Sequence, residues 1–200
     1  MTEHSFRAIR REGIIRVYQA YRPKIAREAV KHQRFVDPFS FSRMTWIKPS
    51  FYWMMHRSGF ASKPDQERVL AIDIHESSLM AALEVGVLSS FSPRLHASME
   101  SWRASLATSP VRVQWDPERD WRLRPIPGVR AIQIGISGDT VRQYAEQWIV
   151  RIEDITDLAH RMAGCVKDPT EPMDSPARLE EAVPLTAAAA ARVCAPELGE

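Results

Sequence analysis

Two hundred residues with 44% hydrophobic and 26% charged side chains can bury a sizeable core and suit one domain with at most a short appendage. The start of the chain, with Glu3, His4, Arg7, Arg10, Arg11 and Glu12, lacks the apolar run of a secretion signal; no stretch nears the roughly 18 to 20 apolar residues that cross a bilayer; and only Cys165 and Cys194 are present, so the expected address is the cytoplasm. The formal charge of +2 is uneven: residues 1–68 carry fourteen Lys/Arg against six Asp/Glu, which suits a phosphate-bearing partner or, more simply, an exposed Arg-rich face, whereas residues 165–200 carry three against seven.

In chain order, the run IIRVYQAY at 14–21 is β-branched and aromatic. It alternates Ile15, Val17, Gln19 and Tyr21 with Ile14, Arg16, Tyr18 and Ala20, which predicts a strand. Arg22-Pro23 breaks it, and Pro23 suits the first turn of a helix with Ile25, Ala26, Ala29 and Val30 as its apolar stripe. Asp37-Pro38 begins a loop. Lys48-Pro49-Ser50 predicts a second helix start, with Phe51, Met54 and Met55 at helical spacing and a stop at Ser58-Gly59. Residues 68–74 (RVLAIDI) predict a second strand, with Leu70, Ile72 and Ile74 on one side, and Ser77 or Ser78 caps the helix that follows.

The pattern over 89–109 is weak; a helix through 95–106 is one option, ended by Pro110 before a short strand at 111–115 and a turn at Asp116-Pro117. Residues 129–137 alternate Ile132, Ile134 and Ile136 with Ala131, Gln133 and Gly135, so Gln133 points away from the isoleucine face. Asp139 or Thr140 caps a helix with Val141, Tyr144, Ala145 and Trp148 as its stripe. Residues 149–155 return as a strand, and Thr156 or Asp157 caps a last short helix. Beyond Cys165, scattered prolines, acidic residues and five alanines at 187–191 read as a flexible tail with too few large apolar groups to dock. The expectation is an α+β chain, a mixed central sheet with helices around it, comprising a globular domain at 1–164 and a tail at 165–200.

Three segments concentrate groups able to do chemistry. Residues 41–59, FSRMTWIKPSFYWMMHRSG, place Arg43, Trp46, Lys48, Ser50 and Arg57 close in sequence; they suit an anion cradle if the amides of the helix after Pro49 face a phosphate, or else a buried aromatic clamp. On the first strand, Arg16, Tyr18 and Gln19 need either water or a partner. In QWDPER, the carboxylates of Asp116 and Glu118 beside Trp115 suit acid–base work or a ribose hydroxyl, although DPER is also an ordinary charged turn. The six histidines show no metal-ligand spacing, so no metal is expected, and GxGxxG, GxxxxGK[ST] and GxSxG are absent.

The strings IRVYQAYRPKIAREAV, RMTWIKPSFYWMMHRSGFASKPDQERVLAIDI, VQWDPERD and IQIGISGDTVRQYAEQWIVRIEDIT together resemble the family catalogued as domain of unknown function 4291, over about residues 8–162. The layout of VYQAYRPKIAREAVKHQRF is similar to the opening strand and helix of the ADP-ribosyltransferase fold. That second resemblance implies an enzyme using NAD: Arg16 on the diphosphate, Tyr18, Tyr21 or Trp46 stacked on nicotinamide, and Gln133 or Glu118 orienting the ribose. Gln19 stands where one branch of that fold carries a His. Gln19, Arg43, Lys48, Ser50 and Trp115 complete the expected binding set. The alternative is a non-catalytic module that binds nucleotide or nucleic-acid phosphates through Arg16, Arg43, Lys48 and Arg57, with Trp46 or Trp53 stacking a base; a purely structural protein is the third reading.

Overall fold

The alternation read from the first strand is realised because both of its faces meet apolar surface. A computed structural model describes residues 3–168 and 170–194. In chain order the elements are β1 (Glu3–Ser5), β2 (Arg7–Ala8), β3 (Arg10–Arg11), β4 (Ile14–Tyr21), α1 (Pro23–His32), β5 (Thr45–Ile47), α2 (Phe51–Ser58), β6 (Arg68–His75), α3 (Glu76–Glu84), β7 (Val87–Leu88), α4 (Met99–Thr108), β8 (Val111–Arg119) and β9 (Pro125–Ile136). There follow α5 (Asp139–Gln143), a π-helical turn (Tyr144–Trp148), β10 (Ile149–Asp154), α6 (Thr156–Cys165), a 3-10 turn (Pro176–Leu179), β11 (Glu181–Ala182) and α7 (Ala187–Val193).

Two sheets result. One runs β10-β6-β4-β3, all antiparallel; the other runs β1-β9-β8-β7, with β5 also pairing β9. The sheets touch where Tyr18 and Lys48 exchange backbone hydrogen bonds, N to O distances 2.7 and 3.2 Å. Ile15 and Val17 of β4, Leu70, Ile72 and Ile74 of β6, Val111 and Val113 of β8 and Ile132, Ile134 and Ile136 of β9 form one apolar core. The opposite face of β4 and β6, Tyr18, Val69 and Ala71, packs on α2 and α6 through Phe51, Met54, Met55, Ala159 and Met162. Side chains that alternate across a strand therefore feed two cores, and each large apolar group taken from water contributes roughly 1.5 to 3 kcal/mol.

Helix ends follow local chemistry in some places and tertiary contact in others. Ser50 caps α2 by accepting from the Trp53 amide, and Gly59 at φ 60° closes its far end in the left-handed conformation. Gln33, also left-handed, ends α1; its amide donates to Val30 O and Ile152 O and its oxygen accepts from the Ile152 amide, tying the helix to β10. The cap expected at Ser77 or Ser78 lies at His75 instead, because β6 runs without a break into α3. The turn expected at Asp116-Pro117 is strand: β8 continues to Arg119, and its register against β9 shifts between Pro117 and Arg119.

The stretch expected as a flexible tail is, in its described part, laid against the domain. Glu181 and Ala182 pair with Ala8 and Arg7, Val183 donates its amide to Phe6 O, and Ala189 and Val193 are buried where α7 meets α3. Small side chains permit this docking: a backbone pairing and closely fitting alanines need no large apolar groups. Pro169 and 195–200, also assigned to the tail, lie outside the described residues. No helix of the described residues is long and apolar enough to cross a membrane.

Candidate functional site

A cavity of about 330 Å³ opens where the C-terminal half of β4 lies beside β5. Gln19, Tyr21 and Arg22 form one wall, and Arg43, Met44, Thr45, Trp46 and Lys48 the other, with Met54 and Arg57 of α2, and Asp65 with Gln66, around the mouth. The strand period explains the second wall. Trp46 of β5 and Lys48, just past its end, are two residues apart and so share a side, while Ile47 between them turns into the core.

The first wall is held by a hydrogen-bond network. The Gln19 amide donates to Thr45 Oγ1 at 2.8 Å, Tyr21 Oη at 2.9 Å and Trp46 O at 3.1 Å, and its oxygen accepts from Tyr144 Oη at 2.7 Å. Tyr21 and Thr45 hydroxyls close the loop at 2.9 Å. Gln19 thus fastens β4, β5 and the π-helical turn together, leaving it a structural part of the wall. Trp46 sits opposite Gly135 in the β5–β9 ladder, and its indole lies so close that a Cβ at 135 would come within 3.0 Å of two ring carbons and 2.9 Å of Met44 Sδ. Gly135 is therefore what lets the indole lie down beside the cavity.

Lys48 is only 5% exposed, with its Nζ 4.7 Å from the centre of the Trp53 ring. Among the described residues no carboxylate stands within ion-pair distance of it. Burial pulls its ammonium down to about 7; the neighbouring Arg57 pushes the same way and Asp116 opposes. Asp116, raised by burial, is held by two amides, Gln133 Nε2 at 2.6 Å and Gln114 Nε2 at 2.8 Å. His56 is lowered by burial and then by Arg119, Lys63 and Arg57, so cations gather along this side of α2. Arg43 and Arg57 take part in no ion pair of the described residues, whereas Arg22 pairs with Asp65 at 2.8 Å.

The structure brings together Gln19, Tyr21, Arg43, Trp46 and Lys48 of the expected set and separates the others. Arg16 is bound in both arms by Asp73, at 2.7 and 2.9 Å, in a different crevice with Arg11 and Arg151, because the β4–β6 register sets the two side chains opposite each other. Tyr18 points into the second core, edge-on to Phe51, its hydroxyl without a hydrogen-bond partner among the described residues. Trp115 lies on the far face of its sheet, stacked on His4 and donating its indole N–H to Val193 O at 2.7 Å. Gln133 is spent on Asp116.

Ser50 and Glu118 are joined, Ser50 Oγ donating to Glu118 Oε1 at 2.8 Å, and Glu118 also accepts from the Arg119 amide. Beside them the first amide of α2, Phe51 N–H, donates to Glu180 Oε1 at 2.7 Å, and Arg7 donates to the Glu180 carbonyl. The helix terminus expected to cradle a phosphate is thus filled by the chain's own carboxyl group, supplied 129 residues away. Glu180 is pushed up to about 8 by burial, with Glu118 adding repulsion, and Glu118 is itself raised by burial.

Arg22, Thr45, Asp65 and Gln66 escape sequence reasoning. A strand that ends in Tyr-Arg-Pro offers a signal for Arg22, since the residue before a proline stays extended and projects at the strand end. Nothing local marks Asp65 or Gln66. No curated protein matches the chain. The profile of the family described as domain of unknown function (DUF4291) matches residues 5–183, taking in every cavity residue and about half of the stretch beyond Cys165, and the chain belongs to that family.

Proposed function

We propose that the cavity between β4 and β5 binds a nucleotide-like ligand, one flat ring system carrying an anionic phosphate. The observation that carries this reading is the joint presence, on one cavity, of an indole laid against Gly135 and two guanidiniums, Arg43 and Arg57, outside any ion pair of the described residues. An aromatic face stacks a base whatever its identity, and guanidinium forks match phosphate oxygens. A volume of about 330 Å³ sits at the small end of ligand sites, enough for a mononucleotide or one half of NAD.

The direct run from β4 into α1 favours NAD among nucleotides and keeps ADP-ribosyl transfer as the second reading. In that reading the reacting ribose is oriented by residues that line the cavity, since Gln133 and Glu118 are engaged with Asp116 and Ser50. Two free cysteines accord with action in the reducing cytoplasm.

Isothermal titration with NAD, ATP and a short single-stranded oligonucleotide tests the proposal. Saturable binding of at least one ligand is expected, weakened about tenfold or more by Trp46→Ala, as stacking contributes about 1–3 kcal/mol per base. A steep salt dependence singles out the oligonucleotide. No binding by any of the three, or equal binding by Trp46→Ala, refutes it.

A further inference from the structure

We infer that Lys48 is a reactive amine, positioned to form an imine with a carbonyl-bearing anionic ligand in the β4–β5 cavity. This deepens the reading above, since the anionic part of such a ligand would sit on the guanidiniums proposed there for phosphate.

Several independent features point to it. The Lys48 backbone is pinned on both sides, its N–H donating to Tyr18 O and its carbonyl accepting from Tyr18 N–H, so the side chain leaves from a fixed origin. The residue lines the cavity together with Trp46, and its Nζ lies over the Trp53 ring. An ammonium so thoroughly enclosed is ordinarily matched by a carboxylate, because removing an unpaired charge from water is costly. Lys48 has none in ion-pair range among the described residues; Asp116 acts on it from further off, with both oxygens already accepting from Gln114 and Gln133.

Arg57, on the same cavity, acts against the charged form, and an apolar enclosure with a neighbouring cation is the setting that keeps a lysine amine neutral and nucleophilic. The other four lysines, Lys24, Lys31, Lys63 and Lys167, are exposed and lack this setting.

The step balances without any oxidant. The Lys48 nitrogen lone pair adds to the carbonyl carbon, the carbon–oxygen π bond opens to a carbinolamine, and the oxygen departs as water with the two amine hydrogens, leaving a carbon–nitrogen double bond. An aldehyde or ketone that also carries a phosphate or carboxylate satisfies both halves of the site: the carbonyl meets Lys48 and the anion meets Arg43 and Arg57.

Pyridoxal phosphate is a suitable probe, with pyridoxal as its uncharged counterpart. The full chain is incubated with each, reduced with borohydride, digested, and the modified lysines are located by peptide mass. The expected result is modification of Lys48 at least about tenfold ahead of the four exposed lysines, reflecting its larger neutral fraction near neutral pH. Arg43→Gln should slow labelling by pyridoxal phosphate several-fold and leave labelling by pyridoxal unchanged. Labelling confined to the exposed lysines, with Lys48 untouched, overturns the inference; it needs only the unaltered chain, so misfolding of a Lys48 variant cannot obscure it. Equal labelling of Lys48 by both probes upholds the reactive amine and refutes the anion-binding role given to Arg43 and Arg57.

Discussion

Replacing Glu180 by Gln tests whether a carboxyl group, held neutral by its surroundings, couples the C-terminal segment to the N-terminus of α2. In the folded chain the acid sits at about 8, against 4.5 as the ordinary value, because burial and the nearby Glu118 both oppose its ionisation. The folded state therefore holds a proton between pH 4.5 and 8 that the unfolded chain has released. Stability from this group is complete below pH 4.5 and is lost as pH rises through 8. At about 1.36 kcal/mol per pH unit the loss is at most ~5 kcal/mol, and about 3 kcal/mol if water enters the site. Lys48 acts with opposite sign at higher pH: its folded value of about 7 lies below the ordinary 10.5, so its burial penalty is relieved as pH rises from 7 to 10.5.

The unaltered chain should therefore lose stability from pH 5 to 7, level off between 7 and 8 where the two groups offset each other, and regain stability above 8 where Lys48 alone contributes. Glu180→Gln keeps an oxygen for the Phe51 amide without the ionisation, so its curve should be flatter below pH 7 and rise above it, the remaining slope coming from Glu118. Urea unfolding at successive pH values measures this; with a slope of about 2 kcal/mol per molar, the variant midpoint at pH 9 should exceed that of the unaltered chain by roughly 1.5 to 2.5 M. Parallel curves for the two proteins from pH 5 to 9 would falsify the buried-acid argument.

Gly135→Val should drive the Trp46 indole and Met44 off the β9 backbone; a blue or red shift in tryptophan emission and a loss of ligand binding of about tenfold or more are expected, and unchanged emission would show that the indole is not seated there. Gln19→Leu leaves the buried Tyr144 hydroxyl without its acceptor and frees the Thr45 and Tyr21 hydroxyls, so a loss of about 2–4 kcal/mol should appear in denaturant unfolding. Arg16→Ala removes a bidentate pair with Asp73 from a crevice away from the cavity; nucleotide titration should be unaffected, and an abolished signal would place the ligand on the β4–β6 face instead. Ending the chain after Asp168 exposes the α2 amide capped by Glu180 and the α3 surface covered by α7, so a lower melting temperature is expected, and an unchanged one would show that 170–194 contributes nothing to the fold.

The elements that repeat a local period were legible without coordinates. The alternation of 14–21, the isoleucines of 132–136, and the helices opened at Pro23 and Ser50 all arise from side-chain direction along one strand or helix, a property of neighbours in sequence. The same local reading singled out Gln19 and the density of Arg43, Trp46 and Lys48 within one segment, but not the strand at 45–47 that sets two of them side by side. Partners, by contrast, belong to register and topology: Arg16 meets Asp73 57 residues on, Ser50 meets Glu118 68 residues on, and Phe51 meets Glu180 129 residues on. An arginine on a strand reads alike whether a ligand or a carboxylate faces it, and only the pairing of β4 with β6 gave Arg16 to Asp73. Likewise composition made the last stretch look too poor in large apolar groups to dock. Its attachment rests on one backbone pairing, one buried carboxyl, side-chain links such as Tyr52 to Ser175 and Trp115 to Val193 O, and a few small side chains whose fit exists only against surfaces that distant segments create.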